Sequence, residues 1–268
     1  MGLIQDSGRE VAVVYHPLAE GDSLLVNADV RMHAASTMKV PVMARLYLDD
    51  REGLISLDDS LEVTTTFHSI VDGSPYTLQA DSDSDSTLYL LEGERVGYRE
   101  LIELMVTLSS NLATNILIQK ADPQRVTALM RELGADSIQV LRGVEDIPAF
   151  QAGLSNTTTA RDLGILMTAL GSGEVGSQAL CDEMVDVLSR QHWRTKIPAL
   201  LPPDTRVAHK TGRITGISHD AGIVYPRGAT PYVVVILTRG FEDGTEADAL
   251  AARISRVIFD FHTDAFPE

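Results

Sequence analysis

The sequence predicts an α/β fold of two lobes. One is a five-stranded antiparallel sheet flanked by helices and built from both ends of the chain; the other is an all-helical lobe inserted between those ends. Three observations predict it. Short β-rich runs cluster near both termini, helical periodicities fill the middle, and 268 residues suit one compact body better than two full domains. The expected division is residues 1–32 and 190–268 for the sheet lobe and 33–189 for the helical lobe, with a site where the lobes meet.

Glu10 to Tyr15 and Ser23 to Val26 read as a hairpin, split by the turn formers Pro17, Gly21 and Asp22. Arg206 to Ile214, Asp220 to Tyr225 and Tyr232 to Leu237 read as three more strands, separated by Gly216 and by Pro226-Arg227-Gly228. Such short connections favour antiparallel pairing, because a parallel step needs a crossover of about a dozen residues or more. Leu250, Ile254, Val257, Ile258 and Phe261 recur at helical spacing between Thr245 and His262, which predicts a last helix over one sheet face. In the middle, Tyr98 to Lys120 carries an apolar 3.6 period interrupted at Ser109-Ser110-Asn111. Pro123 to Leu133, Thr159 to Leu170 and Ser177 to Ser189 read as further helices, with Thr159-Ala160-Arg161-Asp162 a near capping box.

Composition excludes several classes. The chain has 22 Lys and Arg against 38 Asp and Glu, a formal net charge of −16 that would repel a phosphate backbone, so nucleic acid is not an expected partner. No apolar run approaches the ~20 residues needed to cross a bilayer, and no membrane association is expected. A single cysteine, Cys181, excludes an internal disulfide and a Cys-rich metal cage. The segment from Met1 to Glu10 lacks the layout of a secretory leader. The expected compartment is therefore the cytoplasm if the chain is complete as given, and the periplasm or exterior if a leader was removed.

Three short segments carry chemistry. Ser36-Thr37-Met38-Lys39 puts a hydroxyl and an amine three residues apart, which on a helix brings them to one face within mutual reach. Lysine can activate such a serine when burial or nearby positive charge lowers its pKa. Ser109-Ser110-Asn111 sets polar side chains in a stretch whose pattern should be buried, and buried polar groups need partners. Lys210-Thr211-Gly212 falls in a predicted strand, where the glycine leaves room for a ligand's backbone. Taken singly, each has an ordinary explanation: a solvated helix start, a turn, an edge strand guarded by lysine.

Together they occur once each and in order, 73 residues from Ser36 to Ser109 and 101 from Ser109 to Lys210, and this is the motif set of penicillin-recognising serine enzymes. The chain resembles the class A β-lactamase and penicillin-binding-protein family over most of its length. Tyr98 to Leu101 leading into Ser109 to Asn115, Thr157-Thr158-Thr159 before a helix, Ile197 to Pro202, and Asp220 to Pro226 carry the rest of the likeness. The resemblance implies that Ser36 attacks a carbonyl, Lys39 takes or relays its proton, and Ser109 passes a proton to the leaving nitrogen. It implies that Asn111 holds the substrate's side-chain amide and that Lys210 and Thr211 receive its carboxylate beside Gly212, with the N–H groups of Ser36 and Arg213 as an oxyanion hole. No cofactor or metal is expected. The expected substrate is a small molecule, a β-lactam or an acyl-D-Ala-type peptide, and the expected state is a monomer.

The chain also departs from the family. The family's Ω-loop carries a Glu-x-x-Leu-Asn segment whose glutamate activates the deacylating water, and none lies between Leu141 and Thr157. Counting back from Thr157 makes Glu145 the first candidate and Asp146 the second, whereas the local match Gln151 to Ser155 offers only an amide. His209 replaces the acid before the Lys-Thr-Gly and reads as a surface residue. His219 falls where the family's carboxylate-supporting arginine stands, with Arg213 as its possible substitute. Asp81, Asp83, Asp85 and Glu92 mimic a calcium loop without its glycine and read as a solvated acidic turn. The functional classes in view are a β-lactamase, a serine peptidase or esterase that deacylates β-lactams slowly, and a catalytically idle binding module.

Overall fold

Valine, isoleucine and alanine fill successive strand positions instead of alternating with polar residues, and the reason is a sheet covered on both faces. In the computed structural model, which describes residues 2–267, this sheet has five strands: β1 (Glu10–Pro17), β2 (Leu24–Val26), β3 (Arg206–Ile214), β4 (Ile217–Tyr225) and β5 (Tyr232–Arg239). Their order is β2-β1-β5-β4-β3 with every neighbour antiparallel, so the first long strand lies against the last, Val13 opposite Ile236. Along β5, Val233, Val235 and Leu237 enter one core while Tyr232, Val234 and Ile236 enter the other, the period of two expected of a pleated strand.

Nine α-helices are described: α1 (Gly2–Ser7), α2 (Lys39–Arg51), α3 (Tyr98–Glu103), α4 (Asn111–Ala121), α5 (Pro123–Glu132), α6 (Ile147–Gln151), α7 (Ala160–Gly171), α8 (Gln178–Ser189) and α9 (Gly244–Ala265). Helix α9 covers one sheet face with Leu250, Ile254 and Ile258. Helices α7 and α8 pack on the other face and join it to the helical half, where α2 runs buried among α4, α5 and α8. The five strands and the last helix lie where the sequence places them, with β4 and β5 a few residues longer.

Two sequence expectations change in detail. The Tyr98–Lys120 pattern is not one helix: α3 passes into a π-type turn at Leu104–Leu108, Ser109 adopts a left-handed φ of 67°, and α4 starts afresh. The acidic turn is not merely solvated. Asp83 accepts the Asn111 N–H (2.8 Å) and the Leu112 N–H (2.9 Å), so it caps α4 together with the Ser110 hydroxyl. Among the described residues no group of three or more His, Cys, Asp or Glu is placed to hold a metal ion. The near capping box at α7 is half made. Thr159 Oγ1 accepts the Asp162 N–H, but the Asp162 carboxylate turns instead to the N–H groups of Ser137 and Ile138.

One close contact between the sheet and the helical half lies at the turn that carries Ser36. Gly212 on β3 sits so near a 3₁₀ turn at Ala35–Met38 that a Cβ there would lie 3.1 Å from Ser36 N and 3.2 Å from Thr37 N. The glycine of the Lys-Thr-Gly therefore makes room for the start of a helix, where the sequence suggested room for a ligand. A second close contact lies within the sheet, three pairs along the ladder, where Gly222 faces His209. A Cβ on Gly222 would lie 2.6 Å from His209 Cβ and 2.9 Å from the Ala208 carbonyl oxygen. Gly222→Ala should therefore cost about 1–3 kcal/mol by overpacking, read as a lower urea midpoint with unchanged slope. A variant as stable as the parent would show that the ladder yields there.

Candidate active site

Ser36 lies at the junction of two clefts. One, of about 460 Å³, is lined by Asn111, Arg142, Val144, Glu145, Ile147 and Phe150 among others; the second, of about 400 Å³, by Ser109, Trp193, Lys196, Thr211 and Asp248 among others. Ser36 and Arg213 line both. The turn that carries Ser36 runs directly into α2, and Ala35 before it holds a left-handed φ of 46°. Ser109 and Glu145 (φ 62°) share that backbone region. Among the described residues, three of the five non-glycine residues with positive φ thus stand in or beside this site, the kind of strain a fold retains where side chains must be aimed.

Lys39 is fully buried. Its amine donates to the Ser109 carbonyl (2.7 Å), Asn111 Oδ1 (3.1 Å), Ser109 Oγ (3.3 Å) and the Ser110 carbonyl (3.3 Å). The expected pairing with Ser36 is not formed, and the Ser36 hydroxyl has no hydrogen-bond partner among the described residues. Burial lowers the Lys39 pKa to about 7, against the opposing pull of Asp83 and Glu145. Lys210, also fully buried, donates to Ser109 Oγ (3.0 Å) and to the Thr211 carbonyl (2.9 Å). Burial and the neighbouring Lys39 hold its pKa well below the usual lysine range. Two amines therefore converge on one hydroxyl.

Asn111 ties this group to the loop. Its Oδ1 accepts from Lys39 and its Nδ2 donates to Glu145 Oε1 at 3.0 Å, which orients both ends of the amide. Glu145 is half-buried; desolvation raises its pKa, while the Asn111 contact and the charge of Lys39 oppose the rise. Asp146 is buried and fully committed, accepting from Ser69 Oγ, the Ile70 N–H and the Ala149 N–H. Gln151 points to solvent at the end of α6. Between Glu145 and Asp146, only Glu145 keeps a carboxylate oxygen free of structural bonds at the cleft.

Both histidines depart from expectation. His219 is not presented to a substrate: Nδ1 accepts the Thr238 N–H at 3.2 Å, leaving Nε2–H to donate to the His33 carbonyl at 3.0 Å, and burial lowers its pKa to about 4. A neutral ring enclosed between β5 and the segment before Ser36 cannot take the place of an arginine. His209 is no surface residue; it is fully buried, with Nδ1 bonded to Asp220 (2.9 and 3.1 Å) and Nε2 without a partner. Thr211 lines the second cleft, and Arg213 bonds Asp248 on α9.

Asp83, Lys196 and Asp248 were missed from the sequence. Asp83 hides in an acidic run that reads as solvated, and nothing local marks Lys196. Asp248 did leave a signal. Asp248, Ser255 and His262 stand seven apart on the buried face of α9, where the helical pattern calls for apolar side chains.

Comparison with known proteins identifies the family. Residues 2–262 match the family described as the beta-lactamase enzyme family. The beta-lactamase AST-1 of Nocardia asteroides is 27% identical over 259 residues, covering 95% of this chain and 79% of that protein. The crystal structure of a β-lactamase from Sphaerobacter thermophilus superposes with a TM-score of 0.81 at 25% identity, covering 95% of this chain and 91% of that one. A PBP-A variant solved as an acyl-enzyme complex with penicillin G superposes with a TM-score of 0.81 at 26% identity, covering 97% and 92%. With the family match running over residues 2–262 and the fold in agreement with these relatives, the chain belongs to the β-lactamase enzyme family and is a serine hydrolase of the β-lactamase type.

Proposed function

We propose that the protein opens the amide of a β-lactam ring through an acyl-enzyme at Ser36, and that a water activated by Glu145 then hydrolyses the ester. The observation that carries this reading is the continuous chain of hydrogen bonds Glu145–Asn111–Lys39–Ser109–Lys210 around the Ser36 turn. It supplies one base for each half of the reaction. Ser36 attacks the carbonyl as Lys39 takes its proton, and a pKa of about 7 keeps much of the amine neutral at neutral pH. The N–H groups of Ser36 and Arg213 receive the oxyanion. The C–N bond breaks as the Ser109 hydroxyl gives its proton to the leaving nitrogen and is reprotonated from Lys39. Lys210 and Thr211 hold the substrate's carboxylate by charge-assisted contacts. In the second half Glu145 removes a proton from water, the hydroxide attacks the ester, and Ser36 leaves with the proton returned from that carboxyl through Lys39.

A second reading, a peptidase or esterase that deacylates β-lactams slowly, draws support from the absence of the family's Glu-x-x-Leu-Asn segment. An idle binding module is the third. Intact-mass spectrometry after mixing with benzylpenicillin separates them: transient adduct for the first, lasting adduct for the second, none for the third.

Ser36→Ala should show no covalent adduct with benzylpenicillin while retaining the parent's circular dichroism; an adduct on the variant would move the nucleophile elsewhere. The acylation rate should rise with pH through a midpoint near 7, because the base is the neutral form of Lys39 and that form gains population above its pKa. A rate that is flat or falling between pH 6 and 8 would remove Lys39 from this role. Glu145→Gln should acylate nearly as fast as the parent and trap the acyl-enzyme, a loss of about 10² to 10⁴ in the hydrolytic step. Unchanged turnover would return the deacylating role to another group.

A further inference from the structure

A histidine in the first cleft has no part in the reaction drawn above. His33 precedes the Ser36 turn, is half-buried, and lines the cavity that Ser36, Glu145 and Phe150 share. Its Nδ1 accepts the Ala35 N–H at 2.9 Å. A backbone N–H can only donate, so Nδ1 carries no proton and the neutral ring keeps its hydrogen on Nε2. The ring stands edge-on to Phe150 with centroids 6.5 Å apart, and the His33 carbonyl accepts from His219 Nε2–H at 3.0 Å. Both ends of the residue are therefore held, the carbonyl by the sheet and the ring by the turn.

The group that Nδ1 holds is a strained one. Ala35 has a left-handed φ of 46°, a conformation that a residue with a Cβ keeps only where its surroundings over-determine it. On one side the Ala34 N–H donates to the Asn156 carbonyl at 2.9 Å. On the other, β3 closes in so far that a Cβ on Gly212 would lie 3.2 Å from Ala35 Cβ and 3.1 Å from Ser36 N. The peptide between Ala34 and Ala35 is the plane from which Ala35 directs the next peptide, and that next peptide carries the Ser36 N–H. We propose that His33 is a positioning residue for the reaction: its neutral ring anchors the Ala35 N–H and so aims the Ser36 N–H at the substrate's carbonyl oxygen. A proton taken up from solvent at Nδ1 sets a donor against a donor and frees the Ala35 peptide. Burial and the charge of Arg142 lower the His33 pKa and keep the ring in its working form. Arg142, Glu145 and Asp146 face the cavity from the loop and Arg213 from the sheet, with His219 behind. Glu145 is raised above its ordinary pKa and also takes up protons on the acid side, while His219 stays neutral down to about 4.

This inference rests on the acyl-enzyme reading, and the test reads the two separately. Stopped-flow acylation by benzylpenicillin yields a rate constant for bond formation and a dissociation constant for the complex before it. His33→Asn offers an Oδ1 that accepts an N–H two residues on and does not titrate. His33→Phe keeps a ring against Phe150 and has no acceptor. At pH 8 His33→Asn should acylate within about 3-fold of the parent. His33→Phe should lose about 10- to 100-fold in the rate constant, less than an oxyanion donor removed outright, with its dissociation constant nearly unchanged. From pH 8 down to 4.5 the Lys39 amine imposes the same falling rate on the parent and on His33→Asn, and Glu145 is common to both. The parent alone should fall more steeply at the acid end, where His33 is protonated. Equal losses in the two variants, a His33→Phe as fast as the parent, or superimposable pH profiles for the parent and His33→Asn would overturn the proposal. Nitrogen NMR of histidine-labelled protein, with His33 assigned by its absence from His33→Asn, should show the Nε2–H tautomer at pH 8. An Nδ1–H tautomer would overturn the proposal even if His33→Phe fails to fold. A parent that forms no adduct would overturn the acyl-enzyme reading, and the aiming role with it.

Discussion

Two lysine amines, Lys39 and Lys210, are taken out of water and aimed at the oxygen of Ser109, and most of the structure around the cleft serves to hold them there. Two like charges in a dry site cannot both persist without compensation, so burial depresses both pKa values and the charge of Lys39 weighs further on Lys210. The compensation is local and comes from every layer. Asp83 caps α4 and lies near Lys39, Glu145 reaches it through Asn111, and Asp220 stands behind Lys210 while also binding His209 and the Ile197 N–H. The left-handed backbone at Ser109 turns both its carbonyl and its hydroxyl toward the amines, which an unbroken α3–α4 helix could not do.

This arrangement also answers a problem posed by composition. A chain with a net charge of −16 repels anions over most of its surface. The cleft reverses that sign by concentrating cations with little solvent between them. Lys39, Lys210, Lys196 and Arg213 come from three different segments, and the acids nearby are mostly spent on backbone N–H groups and hydroxyls. A low-dielectric cleft magnifies the local field, while the distant surface acids are screened by salt over about 10 Å.

Much of this was legible in the sequence, for identifiable reasons. The strands announced themselves because β-branched runs were separated by Gly and Pro, and Ser36, Lys39, Ser109 and Lys210 because their spacing is long and ordered. The break at Ser109 was visible as polarity in an apolar pattern, although its left-handed backbone was not. What could not be read depended on tertiary contact. His209 and His219 occupy strand positions that look terminal in sequence but are covered by neighbouring elements. Asp83 becomes a helix cap only because the chain brings it back to α4, 28 residues away. Lys196 sits in a loop with no pattern at all, and the acid it faces at 3.6 Å, Asp248, lies on α9, more than 40 residues later.

The pairing of β1 with β5 has a further consequence, for the order in which the molecule comes into being. Residues 10–17 find their partners at 232–239, so the sheet cannot close while either end is missing. Helical contacts such as α2 against α4 and α5 are local by comparison and form early, whereas a pairing across more than two hundred residues must first overcome the entropy of closing that loop. Lys210 and Gly212 belong to the late-forming part, and Ser36 to the early one. A nascent chain therefore carries its serine for most of its synthesis without the strand that seats it, and the reactive centre assembles only when the last sixty residues arrive.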